Sequence, residues 1–327
     1  MIDLKALGVF LTVAECGSFT LAAKRLGRSQ SAVSQSVRQL EHDLGVVLID
    51  RASRPLAATA SGTILREHAN RLIRDAEALS AKVLDGTGAK VPEIRIGLVD
   101  SFAAAVGPAL MKTLLEHAVN LTVHSGLTSN LAESFVQRKV DIIVGNDPME
   151  EVDGLDRHEL MREPYLVLVP ASMPTAPGDA GLARLARDYP MICYNPESFL
   201  GAQIARQLAN RNIRATRRVS VDTSDSLVAM VAAGIGWTST TPLCLLLARP
   251  YLPRVRVLPF PGPRFSRRLT LVSRSGEHSA LAARLARIAV QILGAEVRAD
   301  LKQLLPGLQD RITLAARPPA PDRERNG

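Results

Sequence analysis

Three short apolar periodicities, each closed by a glycine, fill the first 45 residues and leave that stretch few ways to fold. Leu4, Leu7, Phe10, Leu11 and Ala14 recur at helical spacing and describe an amphipathic first helix that Gly17 stops. Ser18 or Thr20 can cap a second helix over Leu21 to Leu26, and Gly27 closes it after barely two turns. A third helix opens at Ser29, turns Ala32, Val33, Val37, Leu40 and Leu44 inward, and ends at Gly45. A short positioning helix, a tight turn and a second helix with a polar outward face are the parts of a helix-turn-helix.

The outward face of the third helix carries Gln30, Ser31, Ser34, Gln35 and Arg38. Gln can pair bidentately with adenine, Arg with guanine, and Ser can meet a phosphate or a base edge. Arg28 sits at the turn, and Thr20, at the start of the second helix, is a further DNA-contact candidate. After Gly45 the pattern shifts to Val46-Val47-Leu48-Ile49 and then Arg51-Ala52-Ser53-Arg54-Pro55, which suits a short hairpin, a wing, with Arg51 and Arg54 at its tip. Two arginines there can enter a minor groove or hold phosphates. Singly, each of these residues fits a solvated helix face; gathered on the leading end of one helix beside a basic hairpin, they point to double-stranded DNA. The excess of 40 Lys and Arg over 32 Asp and Glu, a formal +8, agrees with a polyanionic partner.

From Gly62 to about Leu84 the helical pattern runs on without a breaker, and Leu65, Ala69, Leu72, Ala76, Leu79 and Val83 recur at steps of four and three. So narrow a heptad seam predicts a helix that pairs with a second copy. Asp85 to Pro92 is a breaker-rich linker, and beyond it the pattern alternates. Strand-like runs at Ile94 to Val99, Leu121 to His124, Ile142 to Val144, Tyr165 to Val169, Met191 to Tyr194, Val219 to Val221 and Leu269 to Val272 are separated by helical segments, among them Ala109 to His117, Asn130 to Gln137, Gln203 to Asn210 and Ser226 to Ala233. That alternation predicts an α/β domain with a mostly parallel sheet. The pattern thins from about Ala299, and Arg317 to Arg323 reads as a disordered end.

With 327 residues, 46% hydrophobic and 22% charged, the chain has material for about two packed domains. Three scattered cysteines, Cys16, Cys193 and Cys244, offer no paired metal or redox motif, so no metal or cofactor is expected. No apolar run approaches the ~18 residues of a membrane span, and Met1 to Ala14 lacks a signal-peptide pattern, so the expected location is the cytoplasm. Two rival readings fail on context. Gly234-Ile235-Gly236 follows a helical run instead of a strand, with Ser239 where a third glycine belongs, which argues against a dinucleotide-binding enzyme. No nucleophile elbow, zinc-binding helix motif or P-loop supports another enzyme, and a secreted solute-binding protein would not carry ninety residues of helix-turn-helix and seam.

Ligands of open α/β sheets bind beyond the carboxyl ends of the strands, near helix N-termini. Asp100-Ser101-Phe102, Ser125 to Ser129 and Asp222-Thr223-Ser224 are such places. Thr128 and Ser129 can equally serve as helix caps. Hydroxyls and helix N-termini together suit a small carboxylate or similar anion.

The stretch SFTLAAKRLGRSQSAVSQSVRQLEHDLGVVLIDR, followed by ATASG, resembles the DNA-binding region of the LysR-type transcriptional regulators, and the likeness continues to about Ala295. RIGLVDS, VDIIVGN and VAAGIGW fit landmarks of the family's effector domain. The resemblance implies a winged helix-turn-helix over 1–61, a dimerisation helix over 62–90 and an effector domain over 91–298 built like a periplasmic binding protein. Its lobes would span about 91–163 with 269–298, and 164–268, leaving 299–327 as a tail. It further implies an effector site between the lobes near Ser101, Phe102, Thr128, Ser129, Asn146, Thr223 and Ser224. Promoter DNA, a second copy in a dimer or tetramer, and RNA polymerase are the implied macromolecular partners. The chain departs from the family's habit at Ile49, where Phe is more frequent, at Ala58, where Leu usually precedes Thr, and at Gln35, where Arg is frequent. The last of these bears on which bases are read.

Overall fold

Gly17, Gly27 and Gly45 all stand in the left-handed region, with φ of +58°, +62° and +69°, where a side chain is strained. They cut the N-terminal stretch into α1 (Leu4–Cys16), α2 (Phe19–Leu26) and α3 (Gln30–Leu44). Ser18 and Ser29 open the second and third by accepting hydrogen bonds from the backbone N–H of Leu21 (3.4 Å) and Ala32 (3.2 Å). Leu7, Phe10 and Val13 pack on Ala22, Ala23, Val33, Val37 and Leu40 in one core. Two residues expected inside lie outside it. Leu4 is exposed because it begins α1 beyond the reach of the other helices, and Ala32 because it belongs to the leading turn of α3, of which the core takes only Val33.

The wing is the antiparallel pair β1 (Ile49–Asp50) and β2 (Ala57–Ala58), in register Ile49 with Ala58 and Asp50 with Ala57. Helix α4 (Ala60–Leu84) follows at once. A Cβ on Gly62 would lie 2.1 Å from the carbonyl oxygen of Leu48, so α4 rests directly on the backbone ahead of the wing. The computed structural model describes residues 2–84, 90–174, 178–261 and 265–315, and contacts divide the chain into one unit up to Val83 and another from Leu84. The expected linker therefore falls largely, and the tail from 316 wholly, outside the described residues.

The expected seam of α4 divides in two. Leu65 and Ala69, with Ile73, pack into the core of their own unit and are thereby spoken for, a correction to their place in a pairing seam. Leu72, Leu79 and Val83 are 46%, 64% and 69% exposed, and Ala76 is half-buried. The first turns of α4 complete the helix-turn-helix core; only the later turns run past it.

In the second unit, β3 (Val91–Val99) is followed by α5 (Asp100–Ala105), α6 (Gly107–His117), β4 (Ala118–Gly126), α7 (Thr128–Val136), β5 (Ile142–Gly145) and β6 (Leu155–Pro164). The chain then passes through Tyr165 into β7 (Leu166–Pro170), α8 (Gly178–Asp188), β8 (Met191–Tyr194), α9 (Phe199–Ala209), β9 (Arg218–Val221), α10 (Ser224–Ala232), β10 (Thr238–Thr240), α11 (Pro242–Leu245) and β11 (Val255–Pro259). It returns as β12 (Ser266–Arg274), α12 (Ser279–Ile292), α13 (Arg298–Leu304) and β13 (Thr313–Leu314).

These strands make two lobes. The first is a six-stranded sheet in the order β13-β6-β12-β5-β3-β4, with Ile94, Ile96, Leu98, Ile142, Val144, Leu269 and Leu271 in its core. The second holds the sheet β10-β7-β11 and the pair β8-β9 around Leu166, Leu168, Ile192, Leu227 and Trp237. Among the described strands β3 pairs in parallel with β4 and β5, and β8 with β9, while β12 runs antiparallel to both β5 and β6, and β7 to β10 and β11. The sheets are thus mixed, correcting the mostly parallel expectation: the return of the chain through β12 inserts an antiparallel strand at the centre of the first lobe. Residues 299–315, expected as a patternless tail, supply α13 and the edge strand β13, and bury Leu301 and Ile312 in the first-lobe core.

Candidate DNA-reading surface and effector cleft

With Val33, Val37 and Leu40 buried at steps of four and three, α3 must present the opposite side to solvent. Gln30, Ser31, Gln35 and Arg38 are exposed there and Ser34 is half-buried. Ser31 shares a 3.0 Å hydrogen bond with the cap Ser29, whereas Gln30, Gln35 and Arg38 make no side-chain hydrogen bond or ion pair among the described residues. Thr20 and Arg28 are exposed as well, on α2 and in the turn.

Glu41, on the far side of α3, is buried, and sequence reasoning gave it no role. One carboxylate oxygen accepts the backbone N–H groups of Leu48 (2.9 Å) and Ile49 (3.2 Å), and the other takes Nη2 of Arg51 at 2.7 Å. Burial opposes its charge, but these donors prevail and hold its carboxyl below the usual range. The residue ties α3 to the wing. Arg51, expected at the tip reaching for DNA, is held by Glu41 and leans over the ring of Phe19 at 5.9 Å. Arg54 is exposed, its Nη1 donating to the carbonyls of Arg51 (2.8 Å) and Ser53 (3.0 Å).

In the second unit a cleft with a cavity volume of about 50 Å³ opens between the lobes. Asp100, Ser101, Leu127, Thr128 and Asn146 line it from the first lobe, and Tyr194, Ser198, Phe199, Asp222, Ser224 and Cys244 from the second. Arg267 of the crossing strand β12 completes the lining. Its Nε donates to Glu163 at 2.5 Å and its Nη2 to Ser101 Oγ at 2.9 Å, while the second Glu163 oxygen accepts the Leu243 N–H at 2.8 Å. Arg267 and Glu163 are 2% and 0% exposed, so this pair joins both lobes in a dry setting. Burial works against the guanidinium charge, and Glu163 overcomes it, raising the Arg267 pKa above its ordinary value. Tyr194 binds Thr240 Oγ1 (2.7 Å) and Ser224 Oγ (3.1 Å), and burial pushes its phenol well above the usual range.

Of the residues expected at the effector site, Ser101, Thr128, Asn146 and Ser224 line the cleft. Phe102 does not: one position on from Ser101 in α5, it turns into the first-lobe core and is fully buried, which corrects its assignment. Ser129 faces solvent beside Asn130, and Thr223 donates to Ser226 Oγ at 2.9 Å ahead of α10; neither lines the cleft. Asp222, which the sequence placed in the Asp222-Thr223-Ser224 turn, lines the cleft, whereas sequence reasoning missed Tyr194, Arg267 and its partner Glu163. A charged residue inside a strand-forming run, as at 267 and again at 163, was the available signal.

A family model described as the LysR substrate binding domain matches residues 87–293, more than half the chain, and one described as the bacterial regulatory helix-turn-helix protein, lysR family, matches residues 4–63. The chain belongs to the LysR family. It is a LysR-type transcriptional regulator, with a DNA-binding helix-turn-helix and an effector-binding domain, and not an enzyme. LysR regulators bind DNA and small-molecule effectors and act as oligomers. Among similar curated proteins are a probable hydrogen peroxide-inducible genes activator of Mycobacterium avium, 28% identical over 82% of this chain and 87% of that one, and the probable regulator LrrA of Synechococcus elongatus, 27% identical over 80% and 87%. Solved LysR-family structures share the fold. A full-length OxyR variant from Pseudomonas aeruginosa has a TM-score of 0.65 at 20% identity, covering 91% of this chain and 96% of that one. CbnR in complex with its target DNA has a TM-score of 0.61 at 19% identity, covering 89% and 100%. Among the described residues no helix is long and apolar enough to cross a membrane.

Proposed function

We propose that this LysR regulator reads promoter DNA in the major groove with Gln30, Gln35 and Arg38 of α3. Ser31, Ser34, Thr20 and Arg28 hold phosphates beside it, and Arg54 reaches from the wing. Arg51 serves chiefly as the tie that Glu41 grips. The observation that carries this reading is the outward face of α3, where two amides and one guanidinium stand without partners among the described residues on a helix whose other side is locked into a core. The test is a gel shift on the DNA upstream of the protein's own gene, comparing wild type with Ser34→Ala/Arg38→Ala over a range of salt. The double variant is expected to lose sequence preference by at least tenfold while keeping salt-dependent binding to random DNA. Equal binding to specific and random DNA by both proteins would overturn the assignment.

In the second unit, a small carboxylate effector enters the cleft and meets Ser101, Thr128, Asn146 and Ser224. The N-termini of α7, α9 and α10 open onto the same cleft and favour a negative group. Closing the lobes on the effector shifts the population of two arrangements of the oligomer and so alters the spacing or bending of the bound DNA. The exposed later turns of α4, through Leu72, Leu79 and Val83, pair with a second copy, and two such dimers make the tetramer. The regulator works in the cytoplasm, where RNA polymerase is its further partner.

A further inference from the structure

The charges around the cleft do not suit a carboxylate alone. Arg267 is neutralised by Glu163, while Asp100 and Asp222, both in the lining, belong to no ion pair among the described residues. A ligand bearing only negative charge would share the lining with two carboxylates that no cation pairs among the described residues, Asp222 accepting a hydrogen bond from Asn195 Nδ2 at 3.1 Å, and like charges in one site disfavour each other. Anion-binding groups are nonetheless present. Arg267 is 98% buried by its 2% exposure, yet its Nη1 has no acceptor among the described residues, and the Ser101 hydroxyl, which accepts from Nη2, retains its own proton to donate. An acceptor is also left over. Asn146 is 5% exposed, its backbone N–H goes to Thr128 Oγ1 at 3.5 Å, and its side-chain Oδ1 has no partner among the described residues. A buried carbonyl oxygen without a donor costs about 1–3 kcal/mol unless a ligand supplies one.

We infer that the effector is a small α-amino acid, whose carboxylate is taken by Arg267 Nη1 and Ser101 and whose ammonium is taken by Asn146 Oδ1 and the carboxylates of Asp100 and Asp222. A zwitterion adds no net charge to the cleft and brings a donor and an acceptor group to the two sets of unmet partners. Size agrees: about 50 Å³ of cavity, at roughly 10–15 Å³ for each water-sized position, holds roughly four such positions, enough for glycine, alanine or serine. This rests on the cleft being the effector site.

The test is a calorimetric titration of the full-length protein with glycine, L-alanine and L-serine. It sets beside them the des-amino analogues acetate, propionate and 3-hydroxypropionate, and the amines methylamine and ethylamine. Each compound is also added to the operator complex in a gel shift. The expected result is that at least one amino acid binds ten times or more tightly than its des-amino analogue and than either amine. Asn146→Ala should abolish that preference, and should the variant fail to fold, the wild-type preference still decides. If acetate or propionate binds as tightly as its amino acid, or only an amine binds, the amino-acid assignment is wrong while the cleft remains the effector site. If none of the eight binds or alters the operator complex, the amino-acid assignment fails. A crystal structure of a tight-binding compound lodged outside the cleft would overturn the underlying reading instead.

Discussion

At position 41 the chain puts a carboxylate where a helix core would take leucine, and the gain lies in what that carboxylate gathers: two backbone N–H groups of the strand entering the wing and the guanidinium of Arg51. Glu41→Ala strands those donors, and the expected loss is about 2–3 kcal/mol of stability in the N-terminal unit, read as a lower first transition in thermal melts of the whole protein. The pH dependence follows from the lowered pKa. Its stabilisation is complete above the ordinary value of 4.5 and fades as pH falls through the depressed folded value, so wild type and Glu41→Gln should converge in acid and diverge near neutrality. Equal separation at both extremes would show that the charge is not what matters. Arg267 poses the same question under deeper burial. Removing it as Arg267→Met leaves the buried Glu163 carboxyl without its cation, at an expected cost of about 3–5 kcal/mol in urea unfolding of the second unit. Salt should change that cost little, since the pair is almost wholly buried.

Helix α4 shows how one element can serve two masters along its length. Near its start, Gly62 lets the backbone approach Leu48 closely; Gly62→Ala must push α4 off the wing, and a loss of about 1–3 kcal/mol is expected in the same melts. Further along, Leu72, Leu79 and Val83 project from the helix with no cover from their own unit. Leu79→Glu/Val83→Glu should therefore leave the melting of the N-terminal unit within about 0.5 kcal/mol of wild type, yet shift sedimentation toward smaller assemblies. Unchanged sedimentation would move the contact elsewhere on the molecule. The heptad spacing was legible in the sequence, but which of its positions face the home core was not, because periodicity marks a stripe without saying what lies against it.

Across the whole molecule, the return of the chain decides how the effector unit is built. Strand β12 comes back from the second lobe to lie between β5 and β6, and Tyr165 and Phe265 stack at 3.8 Å where the two crossings meet. Arg267, at the start of that strand, is opposite Glu163 in register, so the ion pair is a product of the crossover itself. The segment after Ala299 follows the same logic: α13 and β13 close the edge of the first-lobe sheet beside β6. Truncation after Val297 removes Leu301 and Ile312 from that core and is expected to lower the melting temperature of the second unit by several degrees.

The helix-turn-helix was legible from residues alone, because helix periods, caps and glycine stops are local and lie within a few positions of one another. The polar face of α3, the wing and the family resemblance were legible for the same reason, as was the place of Ser101, Thr128 and Ser224 at strand ends, while Asn146 came only with the resemblance. What only tertiary structure decided were the pairings between distant positions. Glu41 meets the wing, Leu65 and Ala69 join the core, Phe102 turns inward, and Arg267 meets both Glu163 and Ser101 across more than a hundred residues of chain. Such contacts depend on how the chain returns on itself, and a residue's local neighbours carry no record of that return.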